Sequence, residues 1–319
     1  MNTLLPAVTF AIASALPAAA QDFPQTFETK FGTATVAERP ERVATVDFTG
    51  ADDLLAVGIE PVVIRDWYGD QPDGLWPWAA PMLASSPAVL RGELNLEQIA
   101  AADPDVIIAL WSGIDDAVHA QLSQIAPVVA VPPGIGDFAL PWDERALIVG
   151  RAIGREEQAQ AQVNDIRSRL AEVAAAHPEW EGLSVAVGFV SEGALGAYTS
   201  ADIRPQLLSQ LGFANAAGID TVENSTGFSV RFSPEDLSPL DADLLIWIDA
   251  QGDFSPITDL PTRPFLDAAS EGREVFMGRD LTAAFSHATL ASLPFAIDAM
   301  IPMIEAALDG NPETHADDR

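Results

Sequence analysis

Arginines and flat aromatic rings keep company in the segments that separate this chain's apolar runs. Arg65, Trp67, Tyr68, Trp76 and Trp78 follow one such run, and Arg91 stands just before Gly92 and Glu93. Tyr198 and Arg204 follow another run, Phe228 and Arg231 precede the Ser233 segment, and Phe285 follows the last. A guanidinium carries a permanent charge and a rigid fork of donors, while a ring offers an apolar face. Together they suit a large, partly apolar, anionic guest held without covalent chemistry. Trp111, Trp142 and Trp247 lie in or beside apolar runs and are expected to pack.

Groups suited to catalysis are sparse. The four histidines, His119, His177, His287 and His315, stand far apart, and no HExxH, glycine-rich phosphate loop or G-x-S-x-G elbow is present. No metal site and no catalytic residue is expected from this pattern. With no cysteine, disulfides and thiolate ligands are excluded. Two alternatives from other classes stay open: an exported hydrolase with a Ser-His-Asp site using His287, and an adhesion or scaffold module with no saturable small ligand.

Scattered loops become one site only if rigid elements bring them together. The central element is predicted at residues 155–176, where Ala159, Val163, Ile166, Leu170 and Val173 form one apolar stripe and charged residues take the other face. Gly154 and Pro178 bound it. Before it, strands are predicted at 42–47, 61–64, 105–110 and 127–131, alternating with helices at 95–102, 115–125 and 142–153. That alternation implies a parallel sheet with both faces covered. After it come a strand at 184–190, helices at 204–211 and 233–237, strands at 243–248 and 274–277, and a helix at 289–308. Residues 65–83 read as a long functional loop. Ligand sites in open α/β sheets lie at the carboxyl ends of strands, where several of the arginine-bearing loops emerge.

A chain of 319 residues exceeds what one core usually supports, so two lobes are expected: 21–154 and 177–319, joined by the 155–176 helix. Residues 1–20 hold a short apolar run followed by Ala18, Ala19 and Ala20, a secretory leader pattern. The formal net charge of −31 disfavours nucleic acid and anionic membrane as partners.

Glu97, in NLEQI, and Glu235, in SPEDL, fall in the first turn of a predicted short helix, one per half. Either acid alone answers a helix dipole. The matched pair is what a two-armed docking surface would use.

The segments PERVATVD, DDLLAVGIEPVV, GELNLEQIAAADPDVIIA, LSQIAPVV and the 142–154 helix, then SEGALGAYTSADIRPQLLSQLGF, FSVRFSPEDLSPLDADLLIW and AFSHATLASLPFAIDAM, resemble the iron-siderophore substrate-binding proteins of ABC importers in order and spacing. The resemblance covers nearly all of the chain after the leader. It implies an α/β fold of the class III periplasmic binding protein kind: two Rossmann-like lobes with parallel sheets, one long rigid helix and a cleft between them. It implies that Arg91, just before the E-x-N-L-E segment, pairs with anionic chelating groups. Glu97 and Glu235 would meet arginines of the permease. Phe285 would stand in the C-lobe wall, with Tyr198, Arg204, Phe228 and Arg231 in cleft-facing segments. In the reading this supports, Arg65 joins Arg91 in neutralising ligand charge, and Trp67, Tyr68, Trp76, Tyr198 and Phe285 pack the organic shell. The implied partners are a ferric siderophore and an ABC permease, with a monomeric chain and no membrane insertion. Lacking a lipid-bearing cysteine, the protein would be free in the periplasm. With two tyrosines and four histidines in all, iron is expected to stay in its chelator, with no cofactor of the protein's own. A cobalamin or haem receptor of the same fold is the nearest alternative.

Overall fold

The computed structural model describes residues 22–191, 194–222, 227–314 and 316–317. The expected leader at 1–20 and His315 lie outside them. An antiparallel hairpin, β1 (Gln25–Thr29) and β2 (Gly32–Val36), precedes the first sheet. That sheet comprises β3 (Val43–Thr45), β4 (Val63–Asp66), β5 (Ala88–Arg91), β6 (Val106–Ala109) and β7 (Val128–Ala130) in the order β5-β4-β3-β6-β7, all parallel. Strands buried on both faces read as unbroken apolar runs, and all four residues of β6 are buried. Its crossovers carry α1 (Asp52–Ala56), α2 (Leu96–Ala101) and α3 (Asp116–Leu122), followed by α4 (Trp142–Ala152). The order reverses between β3 and β6, so the crevice of this lobe opens beyond Thr45 and Ala109.

The rod predicted at 155–176 is α5 (Glu156–Ala176), with Ala159, Val163, Ile166 and Leu170 buried and Val173 half-buried. Its 21 residues span about 32 Å at 1.5 Å per residue. It packs tightly on α4 at Gly150, where an added Cβ would stand 2.5 Å from that of Ala159.

The second sheet is mixed, which departs from the all-parallel expectation. β8 (Ser184–Ser191), β12 (Leu244–Ile248), β13 (Glu274–Met277) and β14 (Ala316–Asp317) run parallel, and short β10 (Ala214–Asn215) joins β8 in parallel. β9 (Ala194–Tyr198) is antiparallel to both β8 and β11 (Ser229–Phe232). The reason is length: only two residues separate β8 from β9, enough for an antiparallel return and far too few for a crossover. Helices α6 (Ile203–Ser209), α10 (Arg279–His287) and α11 (Ser292–Ala307) cover the sheet. One-turn helices α7 (Ala217–Asp220), α8 (Ser255–Thr258) and α9 (Asp267–Ser270) fill the connections. The helix predicted at 233–237 is instead a turn, in which Glu235 N donates to Ser233 Oγ at 3.2 Å.

The core does not divide at residue 154. One buried cluster runs from Val43 and Ile64 through Val163 and Leu170 to Ile246 and Met277, with a satellite on the outer face of each sheet. The lobes are also riveted by buried polar groups. Arg145 of α4 donates Nε to Asp53 at 2.9 Å and Nη2 to the carbonyls of Ala288 at 2.6 Å and His287 at 3.3 Å. Asp53 accepts from Leu290 N, and Asp52 accepts from Trp78 Nε1 and Thr289 Oγ1, each at 2.8 Å.

Candidate functional site

Between the lobes lies a cavity of about 510 Å³. The N-terminal lobe contributes Trp67 and Tyr68, immediately past the carboxyl end of β4. The C-terminal lobe contributes Phe189 and Ser191 of β8, Tyr198 at the end of β9, Asp249 and Gln251 past β12, Arg204 of α6, and Thr282 and Ser286 of α10. Strand ends from both sheets thus converge on one space, as the topology of open α/β sheets dictates.

Four rings, Trp67, Tyr68, Phe189 and Tyr198, stand in the wall, two from each lobe. Trp67, 36% exposed, stands edge-on to Tyr68 at 4.8 Å and to Trp111 at 5.7 Å. Phe48 and Phe138 extend this cluster, and Phe138 meets Phe228 of the opposite lobe at 6.4 Å. A second tie crosses the cleft where Arg279 Nη2 donates to Gly69 O at 2.5 Å. Gly69 needs to be glycine there: its φ is +98°, and a Cβ would stand 2.7 Å from the Trp76 ring.

Arg204 is the cation of the wall, and it is already matched. Asp202 caps α6 by accepting from Arg204 N, and both its oxygens accept from Arg204 Nη1 at 2.9 and 3.0 Å. Arg204 Nε donates to Ser286 Oγ at 3.2 Å, and the guanidinium lies 4.0 Å from the Tyr198 ring centre. Burial opposes its charge most strongly, but Asp202 together with Tyr198 and Tyr68 outweighs it, and the pKa is raised further. Burial pushes the hydroxyls of Tyr68 and Tyr198 above the usual phenol range, which keeps them neutral hydrogen-bonding groups.

The other residues singled out in the sequence are scattered. Arg65 is half-buried, donates Nη1 to the carbonyls of Val46 and Ser112 at 3.3 and 3.1 Å, and covers Phe48 at 3.8 Å; burial lowers its pKa. Arg91 is ion-paired with Asp66 and donates Nη2 to Gln71 O and Pro72 O, so it braces the loop that carries Trp67. Arg231 is exposed, donates Nη1 to Ser191 O and Ala194 O, and lies 5.2 Å from the Phe189 ring. Phe228 is half-buried at the mouth. Two residues expected in the wall are core instead. Trp76, 3% exposed, stacks on Trp78, and Phe285, 0% exposed, is enclosed because α10 is buried from Leu281 to His287. Glu97 and Glu235 are both exposed; Glu97 opens α2, capped by Asn95, while Glu235 sits in its turn.

Sequence inspection missed Phe189, Ser191, Asp249, Gln251, Thr282 and Ser286. Asp249 carried a usable signal, standing directly after the buried strand LLIWI, where switch-point logic looks for ligand contacts. Thr282 and Ser286 lie in a short helix whose apolar residues Leu281, Ala284, Phe285 and Ala288 do recur at helical spacing, a signal that sequence inspection passed over.

A Ser-His-Asp arrangement is not assembled at His287. Its Nδ1 faces Ala283 O at 2.7 Å rather than a carboxylate, and burial drops its pKa to about 4. Among the described residues, no three or more His, Asp or Glu side chains are grouped to hold a metal ion, and no helix is long and apolar enough to cross a membrane.

Known proteins of similar sequence and structure agree with this architecture. The Fe(3+) dicitrate-binding periplasmic protein FecB of Escherichia coli is 29% identical over 210 residues, covering 66% of this chain and 68% of FecB. A periplasmic solute binding protein from Mycobacterium smegmatis superposes with a TM-score of 0.76 at 30% identity, covering 89% of this chain and 98% of that one. PiaA of Streptococcus pneumoniae, in complex with ferrichrome, shares the fold with a TM-score of 0.75 at 24% identity, over 90% and 99% of the two chains. A model of the periplasmic binding protein family matches residues 43–285, and on that match, which spans both sheets and the rod between them, the chain belongs to the periplasmic binding protein family.

Proposed function

We propose that this protein captures a ferric siderophore in the interlobe cavity outside the cytoplasmic membrane and hands it to an ABC permease. The observation that carries this reading is the cavity itself, about 510 Å³ and walled by rings from both lobes. Trp67 and Tyr68 on one side and Phe189 and Tyr198 on the other would pack the organic shell of a chelate. Iron would remain in its chelator, with the two wall tyrosines serving as ring faces and neutral hydrogen-bonding groups toward the organic shell. Among the described residues no histidine lines the cavity, so imidazole ligation of a haem guest has no support there. FecB, named for an iron chelate, supports the cargo class. Glu97 and Glu235, exposed on separate lobes, would meet the permease. The chain would reach this compartment through the leader at 1–20.

Tryptophan quenching tests the reading, since Trp67 fronts the cavity. Saturable quenching by ferric chelates, weak or absent with the iron-free chelators and lost in Trp67→Phe, is expected. Quenching that does not saturate with any ferric chelate overturns the cargo assignment. For the docking role, Glu97→Ala with Glu235→Ala should keep chelate affinity yet lose stimulation of the permease's ATP hydrolysis; unaltered stimulation removes the two acids from the interface.

A further inference from the structure

We propose that Phe265 and the prolines around it form an apolar shelf beside Glu235, on which a basic segment of the permease lands with an apolar side chain against the ring; this rests on the permease-docking reading above. Phe265 is 85% exposed, whereas the next most exposed large apolar residue among those described, Met82, is 44% exposed. A single apolar side chain at a surface is common. What sets this one apart is how firmly it is presented. It ends a single 3-10 turn, Arg263–Phe265, between α8 and α9, and its neighbours on both sides are anchored. Thr262 Oγ1 donates to Pro234 O at 2.6 Å, Arg263 Nε donates to Glu274 Oε1 at 3.0 Å, and Leu266 is buried. Phe265 N donates to Thr262 O at 3.1 Å. The backbone is thus fixed while the ring stays in water, and covering such a ring is favourable for any partner that fits it.

The surroundings say what the partner is like. Pro234, Pro261 and Pro264 are exposed, and the bond from Thr262 to Pro234 joins their two segments. Proline has a fixed φ and little side-chain entropy to lose, so this surface is ordered before anything binds it. The same bond brings the shelf against Glu235, the residue after Pro234. Exposed acids rim it, Glu235 and Asp236 on one segment and Asp259 and Asp267 on the other, while Arg263 is paired with Glu274. An aromatic centre within a charged rim is the anatomy of a protein interface. Its negative sign favours arginines or lysines opposite and disfavours an anionic bilayer. The N-terminal lobe is built differently: beside Glu97, Leu94 and Leu96 are half-buried against that lobe's outer cluster. Both lobes would dock through an acid, and the C-terminal one through a ring as well.

The test uses the full chain, loaded with a ferric chelate that quenches its tryptophans, and the ABC importer of the source organism whose ATP hydrolysis this loaded protein stimulates, held in nanodiscs. Phe265→Ser should keep the melting temperature and the chelate affinity, since Phe265 is not among the residues that line the cavity. It should raise the protein concentration needed for half-maximal stimulation about tenfold, and Phe265→Leu should restore most of the loss. Because the chain has no cysteine, Phe265→Cys offers a single thiol for an environment-sensitive fluorophore. Its emission should shift to the blue with the importer and stay unchanged with empty nanodiscs or with more of the protein alone. Unaltered stimulation in Phe265→Ser, where Glu97→Ala with Glu235→Ala abolishes it, overturns the shelf and leaves the docking reading standing. A blue shift with empty nanodiscs would mark a membrane contact and one with the protein alone a second copy; either overturns the permease as the occupant. Stimulation of no importer by the unaltered protein overturns both readings.

Discussion

The lobes touch along two neighbouring seams, and α10 takes part in both. Ser286 of this helix lines the cavity, while the carbonyls of His287 and Ala288, one and two residues further on, are gripped by Arg145. At the cavity, rings stand partly exposed, Asp249 keeps an oxygen without a partner, and the two walls approach mainly through Phe138 and Phe228 and through Arg279 and Gly69. At the joint, Asp52, Asp53, Arg145 and Thr289 are enclosed and bonded to one another across the lobe boundary. Binding sites need polar groups left over for a guest, whereas a stable joint needs them matched inside the protein. The contrast explains how one continuous fold can hold its lobes rigidly in register and still keep a gap open between them.

Removing the centre of the joint should do the most damage. Arg145→Ala strands Asp53 and two carbonyls in the interior, and chemical denaturation should show a loss of about 3–5 kcal/mol. A midpoint that does not move would show that the joint is worth no more than a surface ion pair. At the cavity, Trp67→Ala should weaken ferric-chelate binding by about 1–2 kcal/mol while the melting temperature barely shifts, because the ring is partly exposed in the free protein. A large melting shift with intact affinity would exchange the roles assigned to the two seams.

Protonation separates the seams as well. Burial raises Asp47 and Asp52 from 3.8 to about 7, so the folded state takes up protons that unfolded aspartates refuse until far lower pH. Their contribution is full at low pH and is lost as pH rises through about 7. His287 works the other way: buried and neutral, its pKa falls from 6.5 to about 4, and it withdraws stability as pH drops through that interval. The melting temperature should therefore stay level above about pH 7.5, rise as pH is lowered through about 7, and climb less steeply between about 6.5 and 4, where His287 offsets one of the two aspartates. Asp47→Asn, which mimics the protonated acid, should remove part of the rise; an unchanged profile in this variant would exclude Asp47 as a source. The smallest effect is expected from Arg91→Ala, whose partly exposed pair with Asp66 is worth about 0–1 kcal/mol and whose loss should reach chelate affinity only through the loop it braces. A loss of affinity as large as that of Trp67→Ala would put Arg91 back against the ligand.

Helix α5 and strands β6, β7, β8, β12 and β13 were legible in the sequence because each shows one clean pattern, an apolar stripe at helical period or a run of branched residues. Helix α10 carries such a stripe too, Leu281, Ala284, Phe285 and Ala288, but its polar residues Thr282, Ser286 and His287 are buried as well, so the stripe does not tell which side meets the cavity. The same burial turned Phe285 from an expected wall residue into core. Strands β9 and β11 hid because antiparallel pairing depends on partners that no local window contains. The arginines teach a related point. Their presence in cleft-side loops could be read directly, but Arg65, Arg91 and Arg204 each direct donors to carbonyls or aspartates of the chain itself.

By itself, the amino-acid sequence determined the alternation of strands and helices, the length of the rod, the absence of thiol chemistry and the ring-rich character of the segments that close the cleft. These follow from local periodicity and residue type, which need no partner to express. Only the tertiary structure decided which rings face the gap, which acids are enclosed, and which arginines pair with an aspartate and which bond only to carbonyls. Those outcomes depend on groups far apart in the chain, such as Arg145 with Ala288, meeting at hydrogen-bonding distance, and a one-dimensional pattern carries no record of that meeting.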